Sequence, residues 1–208
     1  MLDDAAIRTI FSRFAETTPH PVTELEAPND FCLLISIVLS AQSTDVAVNK
    51  ATKPLYAMAS TPEALLALGE DGLKEYIKTI GLYHSKARNI MALCTRLLDH
   101  YAGIIPRDRD ELQTLAGVGR KTANVWLNCV YGEPWIAVDT HVFRVSNRLG
   151  LCNSSTVDRC EKALMERIPL DYRTFAHHWL ILHGRYVCKA RTPLCSECCV
   201  RDVCCYRA

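Results

Sequence analysis

No stretch of this chain stays apolar for the roughly eighteen residues that a membrane-crossing helix needs, so no membrane role is expected. The first residues, Met1-Leu2-Asp3-Asp4, are acidic and lack the basic start and apolar core of a secretory signal. A cytoplasmic protein is the expectation. No segment alternates polar and apolar residues with period two, and no strand–helix–strand pattern appears, which excludes a sheet-based fold. Internal repeats are missing too, which excludes a solenoid. The charge is nearly balanced at +1. That balance does not exclude a nucleic-acid partner, because what matters is where the charge sits.

Charge is in fact unevenly placed. Residues 1–30 hold two basic and six acidic side chains. The C-terminal end carries Arg185, Lys189, Arg191, Arg201 and Arg207 against Glu197 and Asp202. The length of 208 residues is enough for a full core in one domain or two small ones. The periodicities are helical. Ile7, Ile10, Phe11 and Phe14 share one face of a first helix, ended by Pro19 and Pro21. Asn29 or Asp30 can cap a nearly all-apolar second helix through Leu39, and Ser43 or Thr44 a third. Thr61-Pro62 starts a fourth, Leu73 to Ile80 reads as a fifth stopped by Gly81, and another runs from Leu82-Tyr83 to Tyr101. Gly132-Glu133-Pro134 breaks the chain, and Asp139 then caps a helix to about Leu149. Thr156 to Arg167 and Tyr172 to His183 make two more. The predicted fold is all-α. Its two helical domains are expected over 22–132 and over 1–21 plus 133–208, with a groove between them. His177 and His178 point to different sides of one helix and read as structural.

The chain turns on Leu115-Ala116-Gly117-Val118-Gly119-Arg120-Lys121. A short helix over 110–115 and a longer one over 121–130 flank Gly117-Val118-Gly119. Glycine allows the positive φ of a tight reversal and removes the Cβ that would keep another backbone away. Amides at the start of the following helix then point at one place, with the positive end of the dipole behind them, an arrangement that binds phosphate. Taken alone, the motif also fits an ordinary turn between two helices of a bundle.

Cys188, Cys195, Cys198 and Cys204 give C-x6-C-x2-C-x5-C. Four thiolates drawn from seventeen residues can surround one centre. Sulfur softness leaves a [4Fe-4S] cluster or a structural zinc, and the spacing does not choose. Cys199 and Cys205, each next to one of these, read as non-ligands. Cys32, Cys94, Cys129, Cys152 and Cys160 read as small apolar core residues.

Gly117-Val118-Gly119-Arg120-Lys121-Thr122-Ala123-Asn124-Val125 and Ala137-Val138-Asp139-Thr140-His141-Val142-Phe143-Arg144-Val145 resemble the endonuclease III family. The resemblance extends from about Phe31 to Cys204. Ala116 departs from the usual proline, which implies a slightly looser hairpin entry. The resemblance implies a helix-hairpin-helix over about 111–130 and a DNA glycosylase with abasic-site lyase activity on oxidised pyrimidines in double-stranded DNA, acting as a monomer. Lys121 would attack the sugar as a neutral amine, helped by desolvation and by cations such as Arg120, and form a Schiff base. Asp139 would stabilise positive charge on the sugar and shuttle protons. Gly117, Val118, Gly119 and Arg120 would hold the DNA backbone. Gln42, an ordinary polar loop residue when read alone, would enter the space left by an extruded base, and Leu82 would wedge between bases. Lys86 is a candidate phosphate contact. All three cysteine gaps match the family's cluster loop, which implies [4Fe-4S] at Cys188, Cys195, Cys198 and Cys204, with Lys189 and Arg191 on a DNA-binding loop. Two other readings stand beside this one. A monofunctional adenine-removing relative has no lysine at the position of Lys121, and a non-catalytic DNA-binding module needs the hairpin alone.

Overall fold

The computed structural model describes residues 1–206, so Arg207 lies outside the described residues. Among them there is no strand, as the lack of period-two segments predicts. The helices are α1 (Asp4–Thr17), α2 (Asp30–Ser40), α3 (Asp45–Met58), α4 (Pro62–Ile77), α5 (Tyr83–Tyr101), α6 (Arg109–Leu112), α7 (Arg120–Tyr131), α8 (Thr140–Leu149), α9 (Val157–Arg167) and α10 (Leu170–Leu182). The chain forms two compact units. One holds Met1–Val22 and the chain from Tyr131 onward; the other is Thr23–Val130.

In the unit Thr23–Val130, α2 is the buried rod. Leu33 alone of residues 31–39 is not buried. An all-round apolar helix of this kind belongs in a core. It packs on α3 and α5, and α4 packs on α3 and α5. Buried Ser36 Oγ lies 2.6 Å from the Tyr56 hydroxyl, which donates to Cys32 O at 2.8 Å, so these two hydroxyls are partnered inside the core. Asn29, Thr44 and Thr61 cap α2, α3 and α4 through their side-chain oxygens. Each such cap is worth about 1 kcal/mol. α4 is not one straight helix. Gly69, at φ +76, kinks it, and it ends at Ile77 rather than at Ile80.

In the other unit, α1 lays Ile7, Ile10, Phe11 and Phe14 into a core with Val142, Val145 and Leu149 of α8, Leu164 of α9 and Trp179 of α10. Truncating any one of these to alanine should cost about 2–5 kcal/mol. Two boundaries differ from the periodicity. α10 ends at Leu182 and continues as a π-helical turn, His183–Val187. α6 starts at Arg109, ahead of the predicted 110–115, because Asp108 caps it through the Asp110 and Glu111 amides, and it ends early, at Leu112.

Candidate active site and nucleic-acid interface

The hairpin lies in the unit Thr23–Val130. Gly117 alone of its two glycines needs a positive φ, at +81. A Cβ on Gly117 would lie 3.2 Å from Asn89 Cβ of α5 and 3.3 Å from Val38 Cγ1 of α2, so the turn is pressed onto both helices. Gly119 has an ordinary φ, and a Cβ there would meet nothing within 4 Å. Its role is therefore openness, not strain. Val118 faces inward at 4% exposure, and its amide donates to Leu115 O at 3.0 Å. Its side chain is thus part of the hairpin's core and not of an outward surface. Ala123 N–H donates to Gly119 O at 3.0 Å. The amides of the turn before it lie ahead of the helix's own ladder, as at any helix start. Arg120 and Lys121 are exposed at this end of α7. The buried face of α7 fixes their direction: Trp126 is 1% exposed and donates Nε1–H to Asp30 O at 2.9 Å.

Gln42 and Leu82 share a backbone feature that no local rule predicts. Both are non-glycine residues at positive φ, +57 and +60, and both are exposed. Leu82 does not pack back on the helix it precedes; it is 59% exposed. The two turns meet, since a Cβ on Gly81 would lie 3.7 Å from Gln42 O. Lys86, expected as a phosphate contact, is buried at 5% exposure. Its ammonium donates to Leu39 O at 2.9 Å, Ala41 O at 2.6 Å and Ser43 Oγ at 3.2 Å. The negative end of the α2 dipole and its leftover carbonyls hold this cation inward, so the phosphate role is withdrawn.

Asp139 stands on the other unit, half-buried at the N-terminus of α8. Its Oδ1 accepts from Val142 N–H at 2.7 Å, so it is the cap, and Oδ2 is left for another partner. The segment before it is braced by His177, whose Nδ1 lies 2.7 Å from Ala137 O. Burial pulls His178 down to a pKa of about 4, as expected for a histidine kept neutral inside a core.

Cys188, Cys195, Cys198 and Cys204 line one cavity of about 120 Å³, with Leu149, His183 and Leu194 also in its wall. Cys199 and Cys205 are exposed and are not in that wall. Left as thiols, Cys198 and Cys204 are held protonated by burial, which raises both pKa values. Arg148 Nη1–H reaches Cys188 Sγ at 3.6 Å, and Tyr206 N–H reaches Cys204 Sγ at 3.4 Å. No three His, Cys, Asp or Glu side chains among the described residues converge closely enough to hold a single metal ion.

Lys189 and Arg191 are exposed on the loop between the first two of these cysteines. Sequence reasoning missed what holds that loop. Arg148 donates to Lys189 O at 2.7 Å and Ala190 O at 2.8 Å, and it stacks on the Tyr206 ring 4.6 Å away. Arg144, one turn earlier on α8, donates to Gly184 O at 2.8 Å and Cys188 O at 3.2 Å. The only signal was two arginines four apart on a strongly amphipathic helix, which normally reads as a solvated face.

The family model described as HhH-GPD superfamily base excision DNA repair protein matches residues 35–170. The chain is 54% identical over 200 residues to the endonuclease III of Rickettsia conorii, covering 96% of this chain and 95% of that protein. It is 53% identical over 198 residues to the endonuclease III of Escherichia coli K12, covering 95% and 94%. Its backbone is similar to that in a structure of a trapped endonuclease III–DNA covalent intermediate, an estranged-adenine complex. There the TM-score is 0.92 at 48% identity, over 99% of this chain and 97% of that one.

Proposed function

The chain belongs to the endonuclease III family of base excision DNA repair enzymes, and from that premise we propose that it is a bifunctional enzyme. It removes oxidised pyrimidines from duplex DNA and then cuts the strand 3′ to the abasic site through a lysine Schiff base. The observation that carries this reading is Lys121, exposed in the first turn of α7, two residues after the open Gly119. A lysine there is a nucleophile within reach of a sugar whose phosphate sits on the amides of the same helix start.

The base must leave the stack before its C1′ can be reached. Gln42 and Leu82 are assigned to holding the duplex open, and Gly117, Gly119 and Arg120 to the flanking phosphates. Lys121 Nζ then attacks C1′ as a neutral amine; the C1′–N bond to the base breaks, and the base leaves with a proton. Asp139, with Oδ2 not engaged in the cap, favours the positive charge that develops on the sugar and holds a proton for the ring-opening and elimination steps.

The four thiols suit an inorganic centre larger than one ion. A single zinc needs four sulfurs about 2.3 Å from one point, whereas these four border a cavity of about 120 Å³. We assign a [4Fe-4S] cluster to Cys188, Cys195, Cys198 and Cys204. When bound, it supplies iron–sulfur bonds that pin the loop bearing Lys189 and Arg191, while Arg148 holds the same loop from α8.

A nicking assay on duplex DNA with one abasic site tests the function. A bifunctional enzyme cuts it without added amine. A monofunctional base-removing relative leaves it intact, and a binding module retards it without cutting. Two further results are expected. Gln42→Ala and Leu82→Ala should each weaken binding to a damaged, still-stacked duplex by about tenfold or more, since opening costs a few kcal/mol. Binding to an abasic duplex should change far less, and equal losses on both would place these residues elsewhere. Lys189→Ala and Arg191→Ala should weaken binding to all sequences alike. Each should reduce the slope of log affinity against log salt by about one unit. An unchanged slope in titrations from low to physiological salt would remove this loop from the interface.

A further inference from the structure

We propose that Lys86 is a positioning residue that locks the turn carrying Gln42 to the turn carrying Leu82, so that both side chains are presented together to an opened duplex. The inference rests on the assignment of Gln42 and Leu82 given above.

Lys86 is poorly placed for its own helix. It sits in the first turn of α5, where the helix dipole disfavours a cation, and it is buried. A buried ammonium is costly unless its protons are taken up. Here all three are matched by acceptors on another element: Leu39 O, Ala41 O and Ser43 Oγ. Two of those partners, Ala41 and Ser43, flank Gln42 on either side. The main chain of the same lysine faces the other turn, its N–H donating to Leu82 O at 3.0 Å. The first i→i−4 bond of α5 thus ties Lys86 to the turn at Leu82, and its side chain reaches across to Gln42's neighbours.

What it grips is strained. Gln42 and Leu82 are two of three non-glycine residues at positive φ among those described. α2 has no glycine at its C-terminus to take the left-handed turn; Gln42 takes it instead. α5 has no side-chain cap, and Leu82 occupies its N-cap in the left-handed region. Neither geometry is a preference of its own residue, so each must be imposed by surroundings. Lys86 is the polar link common to both, and Gly81 lets the two backbones lie close, since a Cβ added there would be 3.7 Å from Gln42 O.

The test compares Lys86→Met with the parent chain on two duplexes, one with a stacked damaged base and one with an abasic site. Lys86→Met keeps an unbranched chain one atom shorter and removes its donors. We expect about a tenfold loss of affinity on the damaged duplex and less than about threefold on the abasic one. In the double variant Lys86→Met/Gln42→Ala the losses should not multiply, because both changes disable one device. Amide exchange at Ser43, whose N–H donates to Ser40 O, should quicken in Lys86→Met. Equal losses on both duplexes, or losses that multiply with those of Gln42→Ala, would overturn the proposal and leave Lys86 as a helix cap. Equal effects of Gln42→Ala itself on the two duplexes would overturn the assignment of Gln42, a separate and distinguishable failure. If Lys86→Met does not fold, Ser43→Ala removes one acceptor of three and should show the same split at about twofold; no split would overturn the proposal equally.

Discussion

Lys121→Gln is expected to abolish cleavage at abasic sites while leaving the protein bound to damaged duplex. Loss of a covalent nucleophile costs on the order of 10⁴-fold in rate or more. Binding should survive because the substitution leaves the hairpin intact. Gly117 stays pressed between Val38 and Asn89, and α7 stays docked through Trp126. The exposed Lys121 side chain contributes nothing to that docking. Asp139→Asn gives a cleaner comparison than most charge removals. Asparagine caps a helix as well as aspartate does, so the bond from Val142 N–H is kept. What is lost is the charge. The variant should bind normally and turn over about 10²- to 10³-fold more slowly, the size of effect expected when one electrostatic stabiliser of a transition state is removed. Asp139→Ala would add the loss of the cap, visible as a lower melting temperature. A normal nicking rate for Lys121→Gln would show that another amine does the chemistry.

Replacing one cluster cysteine should have the second largest effect. Cys188→Ser and Cys195→Ser are expected to give colourless, poorly folded protein, whereas the parent is yellow-brown with iron and sulfide near four each per chain. The reason lies in how the C-terminal segment is built. After the π-helical turn at His183–Val187, the described residues hold only the short 3-10 turn at Cys195–Glu197 and few apolar anchors, Val200 among them. Its order depends on Arg13, which donates to Cys199 O and to the Asp202 carboxylate, on Arg144 and Arg148, and on whatever the four sulfurs hold. Cys199→Ser and Cys205→Ser should leave iron content and colour unchanged, since neither side chain borders the cavity. A colourless, active parent containing one zinc per chain would end the cluster assignment.

The helices were legible because their causes are local. Apolar spacing marked the buried faces of α1 and α2, and Thr61, Thr156 and Asp139 marked helix starts by the chemistry of capping. Where local rules failed, a distant partner had intervened. Lys86 reads as surface lysine in sequence, yet its acceptors lie 43 to 47 residues away. Arg148 reads as solvated, yet it grips a loop 41 residues on. The two left-handed positions, Gln42 and Leu82, are neither glycine nor asparagine, so nothing at the positions themselves announces the geometry. The break at Gly69 falls between the two helices that the sequence reads as starting at Thr61-Pro62 and at Leu73. The candidate site was legible through its resemblance to a family. Composition and spacing alone left a hairpin turn, an unassigned lysine and a choice between iron–sulfur and zinc.

The central claim is that Lys121 forms an imine with the sugar of damaged DNA. Borohydride added during turnover reduces an imine to a stable amine, fixing the protein to the DNA. Digestion of that adduct and sequencing of the linked peptide by mass spectrometry identifies the residue. The account predicts a single link at Lys121 in the peptide that begins after Arg120. A link at another amine, or base release with no trapped species at all, would contradict it.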